Sequence, residues 1–308
     1  MSQFTVQQIL HRLHQGRSLR KAELSTLDMH GMQLDDADFS RAYLRTANLN
    51  QSSCQHANFS QATLIRATLV ECNLQHANLS SANLIRATLA YANLHKVNAT
   101  KTVLRSATLD SSDMSFGTLH QADLSDVSGR GATFKHASLV KANFTQGRVD
   151  HANFTAAQAV QSRWSNAHAV GASFDSTDLE RASFVNAVLT GANFTQANLL
   201  NACFHRAIIN DAVFFEAQLD WASLSNAVLL NAKLTDASLF GTILEQANLQ
   251  GADLRGADLR QANLEETQLD NACFDHAMVE GALFTDTRGL SHEQKRYLID
   301  HGALNVPI

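Results

Sequence analysis

The sequence predicts an all-β solenoid, and three observations predict it. Counting every fifth residue from Leu24 gives Met29, Leu34, Phe39, Leu44 and Leu49. The count continues without a register slip through Leu249, Leu254 and Leu259 to Phe274, Val279 and Phe284, about 53 quintets. Two residues before each centre sits a small side chain, Ala37, Ala42, Ala47, Ala57, Ala62 or Ala67, with Ser52, Cys72, Thr102, Gly117 and Thr177 in the same place elsewhere. The other three places carry Asn, Asp, Ser, Thr, Gln and charged residues, so each quintet has two inward and three outward positions. A five-residue spacing walks around a helix instead of marking one face, which excludes an amphipathic helix. One quintet buries nothing alone, but stacked repeats turn the Leu, Phe and Ala places into a continuous interior while neighbouring backbones pair. The single proline, Pro307, suits a core that needs its backbone donors.

The phrase in GADLRGADLRQANLEE, beginning at Gly251, is a small residue, Asp or Asn, Leu or Phe, and two loose places. It resembles the motif of the pentapeptide repeat family, and the resemblance covers residues 20–288. It implies a right-handed quadrilateral β-helix with four quintets per square coil. At ~20 residues per coil and ~4.8 Å between paired backbones, that is about 13 coils and a rod about 60 to 65 Å long.

Three segments follow in order. Residues 1–19 predict an N-terminal capping helix and lead-in: Thr5 and Gln8 have capping-box spacing, Phe4 and Ile9 that of a hydrophobic staple, and Gly16 marks a stop. Val6, Ile9, Leu10 and Leu13 form its apolar stripe. Residues 20–288 are the repeat. Within it Gly129, Ala159 and Ala169 occupy centres where Leu or Phe is expected, and Trp164, between the two alanines, is expected to be buried and to fill the volume they leave. Residues 289–308 predict a second capping helix and tail, with Ser291 and Gln294 as capping box, Tyr297, Leu298 and Ile299 apolar, and Gly302 as stop. An open β-helix needs its ends covered, because unpaired edges invite polymerisation. In the family, C-terminal helices also pair end to end, so a homodimer contact is the rival role there.

Composition narrows the function. No run approaches the ~18 apolar residues of a membrane span, and no signal peptide is visible. Cys54, Cys72, Cys203 and Cys273 show no CxxC spacing; Cys54 is at a centre and Cys72 at a small-residue place, so reduced thiols and a cytoplasmic location are expected. There is no nucleophile elbow, phosphate loop or HExxH, so no enzyme, cofactor or metal site is expected.

Charge is uneven. Residues 1–154 hold 15 Lys and Arg against 11 Asp and Glu, a net of +4, and residues 155–308 hold 9 against 18, a net of −9. Arg45, Arg66, Arg86 and Arg105 form a basic column, and His56, His76 and Lys96 follow one another on a different side with no matching carboxylate or cysteine. Direct nucleic-acid binding is not expected, because it asks for more net positive charge and interleaved aromatics. The acidic surface comprises Asp220, Asp236, Glu245, Asp253, Asp258, Glu265, Glu266, Asp270, Asp275 and Glu280.

Outward apolar residues have no structural reason in a polar repeat. Leu200, Trp221 and Phe240 are expected on one side, Phe215 around a corner, and Ile208, Val228 and Leu230 on another, whereas Tyr91 and Phe116 are comparatively isolated among the outward apolar residues. A large apolar cluster in an acidic surround is the composition of a protein-binding patch. The leading expectation is therefore a bacterial interaction scaffold or adaptor that docks a protein partner or its own copy. The resemblance adds two alternatives. One is a DNA mimic acting on type II topoisomerase, by gyrase inhibition or fluoroquinolone protection; the absence of a projecting loop in the register counts against it. The other is a secretion-system accessory protein or effector.

Overall fold

A quintet can satisfy all five of its backbone donors, as the one from Phe39 to Tyr43 does. In the quintet from Phe39 to Tyr43, Phe39 donates to the Asn58 carbonyl at 2.8 Å and Arg41 to Ser60 at 2.8 Å, both in the following coil. Ala42 closes a turn onto Phe39 at 2.9 Å, and Tyr43 donates back to Ala22 at 2.9 Å. The fifth donor, Ser40, finds no backbone partner and is taken by the Asp38 carboxylate at 3.0 Å. Where Asn or Asp stands before a centre its side chain can accept that fifth N–H, as Asn58 does from Ser60 at 3.1 Å, and a backbone donor left unpaired is costly. The quintet from Phe194 to Asn198 repeats the scheme, with Thr195 donating to the Asn193 side chain at 3.0 Å.

The computed structural model describes residues 4–307; the side chain of Leu13 lies outside the described residues. Two compact units divide the chain, Met1–Ala157 and Gln158–Ile308. In unit 1 parallel bridges join residues 20 apart, from Glu23↔Tyr43 to Thr133↔Asn153; in unit 2 the same offset runs from Gln158↔Asp178 to Gln268↔Arg288. One coil is thus four quintets, built from isolated bridges instead of long strands. Four turns per coil are made possible by the residue two places after each centre, which takes a left-handed φ near +57°, as at Arg66 and His76 with φ 57° and 58°. That conformation costs a non-glycine residue about 1 kcal/mol. The same residue's N–H bonds the following coil and offsets the cost.

Inward places are closed to solvent in both units. Unit 2 stacks Phe174, Phe194 and Phe214 at 4.9 Å per coil and Phe184 on Phe204 at 4.8 Å, with the two stacks meeting edge-on at 5.8 to 6.3 Å. Each buried ring contributes roughly 1.5–3 kcal/mol. Polar residues at the small place return their hydroxyls to the backbone: Ser112 donates to the Leu109 carbonyl and Thr267 to that of Leu264, each at 2.7 Å. Trp164 is fully buried, donates its indole N–H to Ser162 at 2.7 Å, and meets Phe174 edge-on at 5.4 Å and Phe184 face-on at 5.7 Å.

Helix α1 (Val6–His14) opens with the expected reciprocal bonds of Thr5 and Gln8 and buries Ile9. Helix α2 (His292–Asp300) has its capping box at Ser291 and Gln294 and buries Leu298. Ile299, expected in the apolar set, is instead 55% exposed, because α2 turns Tyr297 and Leu298 toward the last coil. Tyr297 donates to the Ala277 carbonyl at 3.0 Å and Gln294 to that of Ala272 at 2.5 Å, while Leu304 pairs with Ala282 at 2.8 Å.

Candidate partner-binding surface

In unit 2, residues 200, 220, 240 and 260 fall in one column, tied by the bonds Asn201 to Asp220, Trp221 to Phe240 and Gly241 to Arg260, each 3.0 Å. Trp221 takes the left-handed turn place, φ 60°, which projects its indole outward, 56% exposed. The ring then lies flat across Gly241 of the following coil: a Cβ there would stand 2.5 Å from two indole carbons. Phe240 meets the indole edge-on at 5.3 Å, and the Arg260 guanidinium lies 5.9 Å from the Phe240 ring. Leu200 extends the strip, half-buried. Leu200, Trp221 and Phe240 are therefore on one corner. Phe215, 38% exposed, is one turn earlier in the coil, and Leu230 is two turns later, beside the bridged Ile208 and Val228. The five apolar candidates occupy three corners, and only the first three are gathered.

The acidic candidates are spread further and several are committed to the backbone. Asp220 accepts from the Phe240 N–H at 3.2 Å and from Ser238; Asp253 and Asp258 accept from the backbone and, in bidentate pairs, from Arg255 and Arg260 at 2.7 to 2.9 Å. Those arginine bonds hold the Asp253 and Asp258 carboxyls below their usual range. Glu245, Glu265 and Glu266 share one turn phase, Asp270 the next, Asp236 and Asp275 the third, and Asp220 and Glu280 the fourth. Carboxylates thus encircle the coils of unit 2 and do not make a single acidic face.

In unit 1, Arg45, Arg66, Arg86 and Arg105 line one groove with Ile65 and Ile85 as its apolar floor. Arg105 is paired to Asp123 at 2.9 Å, whereas no carboxylate lies within 4.0 Å of Arg66 or Arg86 among the described residues. Elsewhere in unit 1 His56 stacks on His76 at 4.8 Å, His76 meets His95 at 6.4 Å, His95 meets Phe116 at 5.5 Å, and Phe116 stacks on His136 at 4.8 Å. Phe116 is thus set among histidines and not among other outward apolar residues. The ladder changes column at His95, a step that counting by 20 does not reveal. Parallel rings cannot aim two lone pairs at one ion, and no metal-competent cluster occurs among the described residues. No helix among them is long and apolar enough to cross a membrane.

A family model described as pentapeptide repeats matches successive segments between residues 18 and 286. Among solved structures the chain is similar to HetL, a pentapeptide repeat protein involved in heterocyst differentiation regulation from the cyanobacterium Nostoc sp. strain PCC 7120. The identity is 26%, over 94% of this chain and 100% of that one, with a TM-score of 0.26. It is also similar to QnrB1, a plasmid-mediated fluoroquinolone resistance protein, at 16% identity over 66% of this chain and 91% of that one, TM-score 0.38. A thylakoid-lumen pentapeptide repeat protein of Arabidopsis thaliana matches at 26% identity over 46% and 74%, TM-score 0.23. No curated protein matches the chain.

Proposed function

The chain belongs to the pentapeptide repeat family, and from that premise we propose that it is a non-enzymatic interaction scaffold whose Leu200–Trp221–Phe240 corner docks a protein partner. The observation that carries this reading is Trp221: an exposed indole held in one orientation by Gly241 beneath it and Phe240 beside it. A large aromatic fixed before binding loses little freedom on docking, which is what a hot-spot residue needs. Phe215 and Leu230, on other corners, would serve separate contacts. With the reading go a right-handed square coil for the repeats of residues 20–288, a capping helix and lead-in within 1–19, a capping helix and tail within 289–308, and a bacterial cytoplasmic setting. The test is affinity capture by the full chain beside Trp221→Ala and Phe240→Ala. A partner retained by the parent and lost by both variants supports the corner; one retained equally by all three moves the site elsewhere.

The net charge of −9 on residues 155–308 favours a second reading, a DNA mimic acting on type II topoisomerase. Supercoiling by purified gyrase, with and without a fluoroquinolone, is the measurement. Inhibition or rescue at stoichiometric amounts, abolished by neutralising Glu245, Glu265, Glu266 and Asp270, would carry it; an unchanged reaction across the titration removes gyrase as the target.

A further inference from the structure

We infer that the arginine groove of unit 1 is a docking site for the carboxylate corner of unit 2 in a second copy of this chain. The groove is built from two adjacent outward places over four coils. Arg45, Ile65, Ile85 and Arg105 follow the centres, and Arg66 and Arg86 take the left-handed places beside the isoleucines. The result is an apolar floor with a guanidinium at each end and two more along one side. Arg66 and Arg86 are exposed and have no carboxylate within 4.0 Å among the described residues, so their charge is available to a partner.

At the same phase of the 20-residue register unit 2 carries Glu245, Glu265, Glu266 and Asp286, where no ion pair forms among the described residues. Glu266 is held by Gln246 at 2.9 Å, and Glu265 by Asn263 at 3.3 Å. Successive side chains of a column in this fold are one coil apart, 4.8 Å between the His56 and His76 rings. A column of carboxylates at β-pairing distance therefore meets a column of guanidiniums at the same distance, and matched pairs reinforce one another along the contact. Phosphates on a nucleic-acid strand do not keep that spacing, and a chain of net charge −5 repels a long polyanion. Each copy holds both halves of the contact, so the fitting partner is the chain itself. This contact leaves Trp221 untouched, so it stands or falls apart from the scaffold reading.

Sedimentation of the full chain tests it. At about 50 mM salt a species of at least twice the chain mass is expected, reverting to the single chain at about 500 mM as screening shortens. R66E/R86E and E265R/E266R should each sediment as single chains at low salt, with circular dichroism and melting unchanged, and mixing the two should restore association. A parent that stays a single chain at low salt overturns the inference. So does association that survives either reversal, or a mixture of the two that fails to assemble. A short DNA duplex retained by the monomeric parent and released by R66E/R86E would also overturn it, in favour of a polyanion site.

Discussion

At one phase of the register unit 1 presents Arg45, Arg66, Arg86 and Arg105 over two isoleucines, and unit 2 presents Glu245, Glu265, Glu266 and Asp286. The interiors behind these surfaces hardly differ: Leu64, Leu84 and Leu104 on one side, Leu244, Leu264 and Phe284 on the other, all closed to solvent. Inside, column volume and coil spacing admit a small residue and one Leu or Phe per quintet. Outside, no residue type is fixed: the place before the centre holds Asn or Asp in some quintets, where it accepts a backbone N–H, and Thr, Val or Ile in others. Two units can therefore share a fold and carry opposite charge, and function in this molecule is a property of the outward places.

The two tryptophans put the sharpest edge on that contrast. Trp164 fills an interior place, hydrogen-bonded to Ser162 and packed by Phe174 and Phe184. Trp164→Ala is expected to cost about 3–5 kcal/mol in denaturant unfolding, from lost burial and the cavity left behind. A cost below ~1 kcal/mol would mean that the interior collapses around the loss and is less constrained than the outside comparison requires.

How much of this the sequence displays follows the same division. Leu24 to Phe284 could be read as interior from period alone, and Thr5, Gln8, Ser291 and Gln294 as helix starts, because each obeys a local spacing rule. The left-handed places could not: Lys21, Arg41, Gln51, His56 and Trp221 all occupy them, and nothing in those residue types announces φ above zero. The Asn and Asp side chains do not announce in the sequence their bond to the N–H two residues on, because that bond needs the backbone path to be seen. At the candidate surface, Trp221 and Phe240 were legible as outward and apolar, but their fixing by Gly241 was not, since it is a contact across coils.

Gly241→Ala probes that contact and ranks next in size. A Cβ at φ 62° is strained and would meet the Trp221 ring, so the variant should lose about 1–2 kcal/mol and release the indole. Weaker capture of the partner with a red-shifted Trp221 emission is the expected pair of results. Unchanged emission would show that the glycine does not set the ring's orientation. Trp221→Ala is smaller still, within about 0.5 kcal/mol in stability, because it removes exposed surface and no interior volume. A loss approaching that of Trp164→Ala would erase the distinction between the two places.

The smallest effect separates the units by pH. His76 is held below its ordinary value of 6.5, first by desolvation among its neighbours and then by repulsion from His56, Lys96 and His95. The folded chain then takes up that proton less readily than the unfolded chain. Its contribution is fully present above 6.5 and is lost as pH falls through the depressed folded value. In unit 2 the depressed groups are the arginine-bound carboxyls of Asp253 and Asp258, whose contribution persists until pH falls below their ordinary 3.8 toward still lower folded values. Acidification from about pH 7 to about pH 5 should therefore lower the unfolding midpoint through His76 and not through Asp253 or Asp258. His76→Gln should flatten that slope, and Asp258→Asn should leave it as it was. A slope that survives His76→Gln would mean that His76 is not the group that carries it.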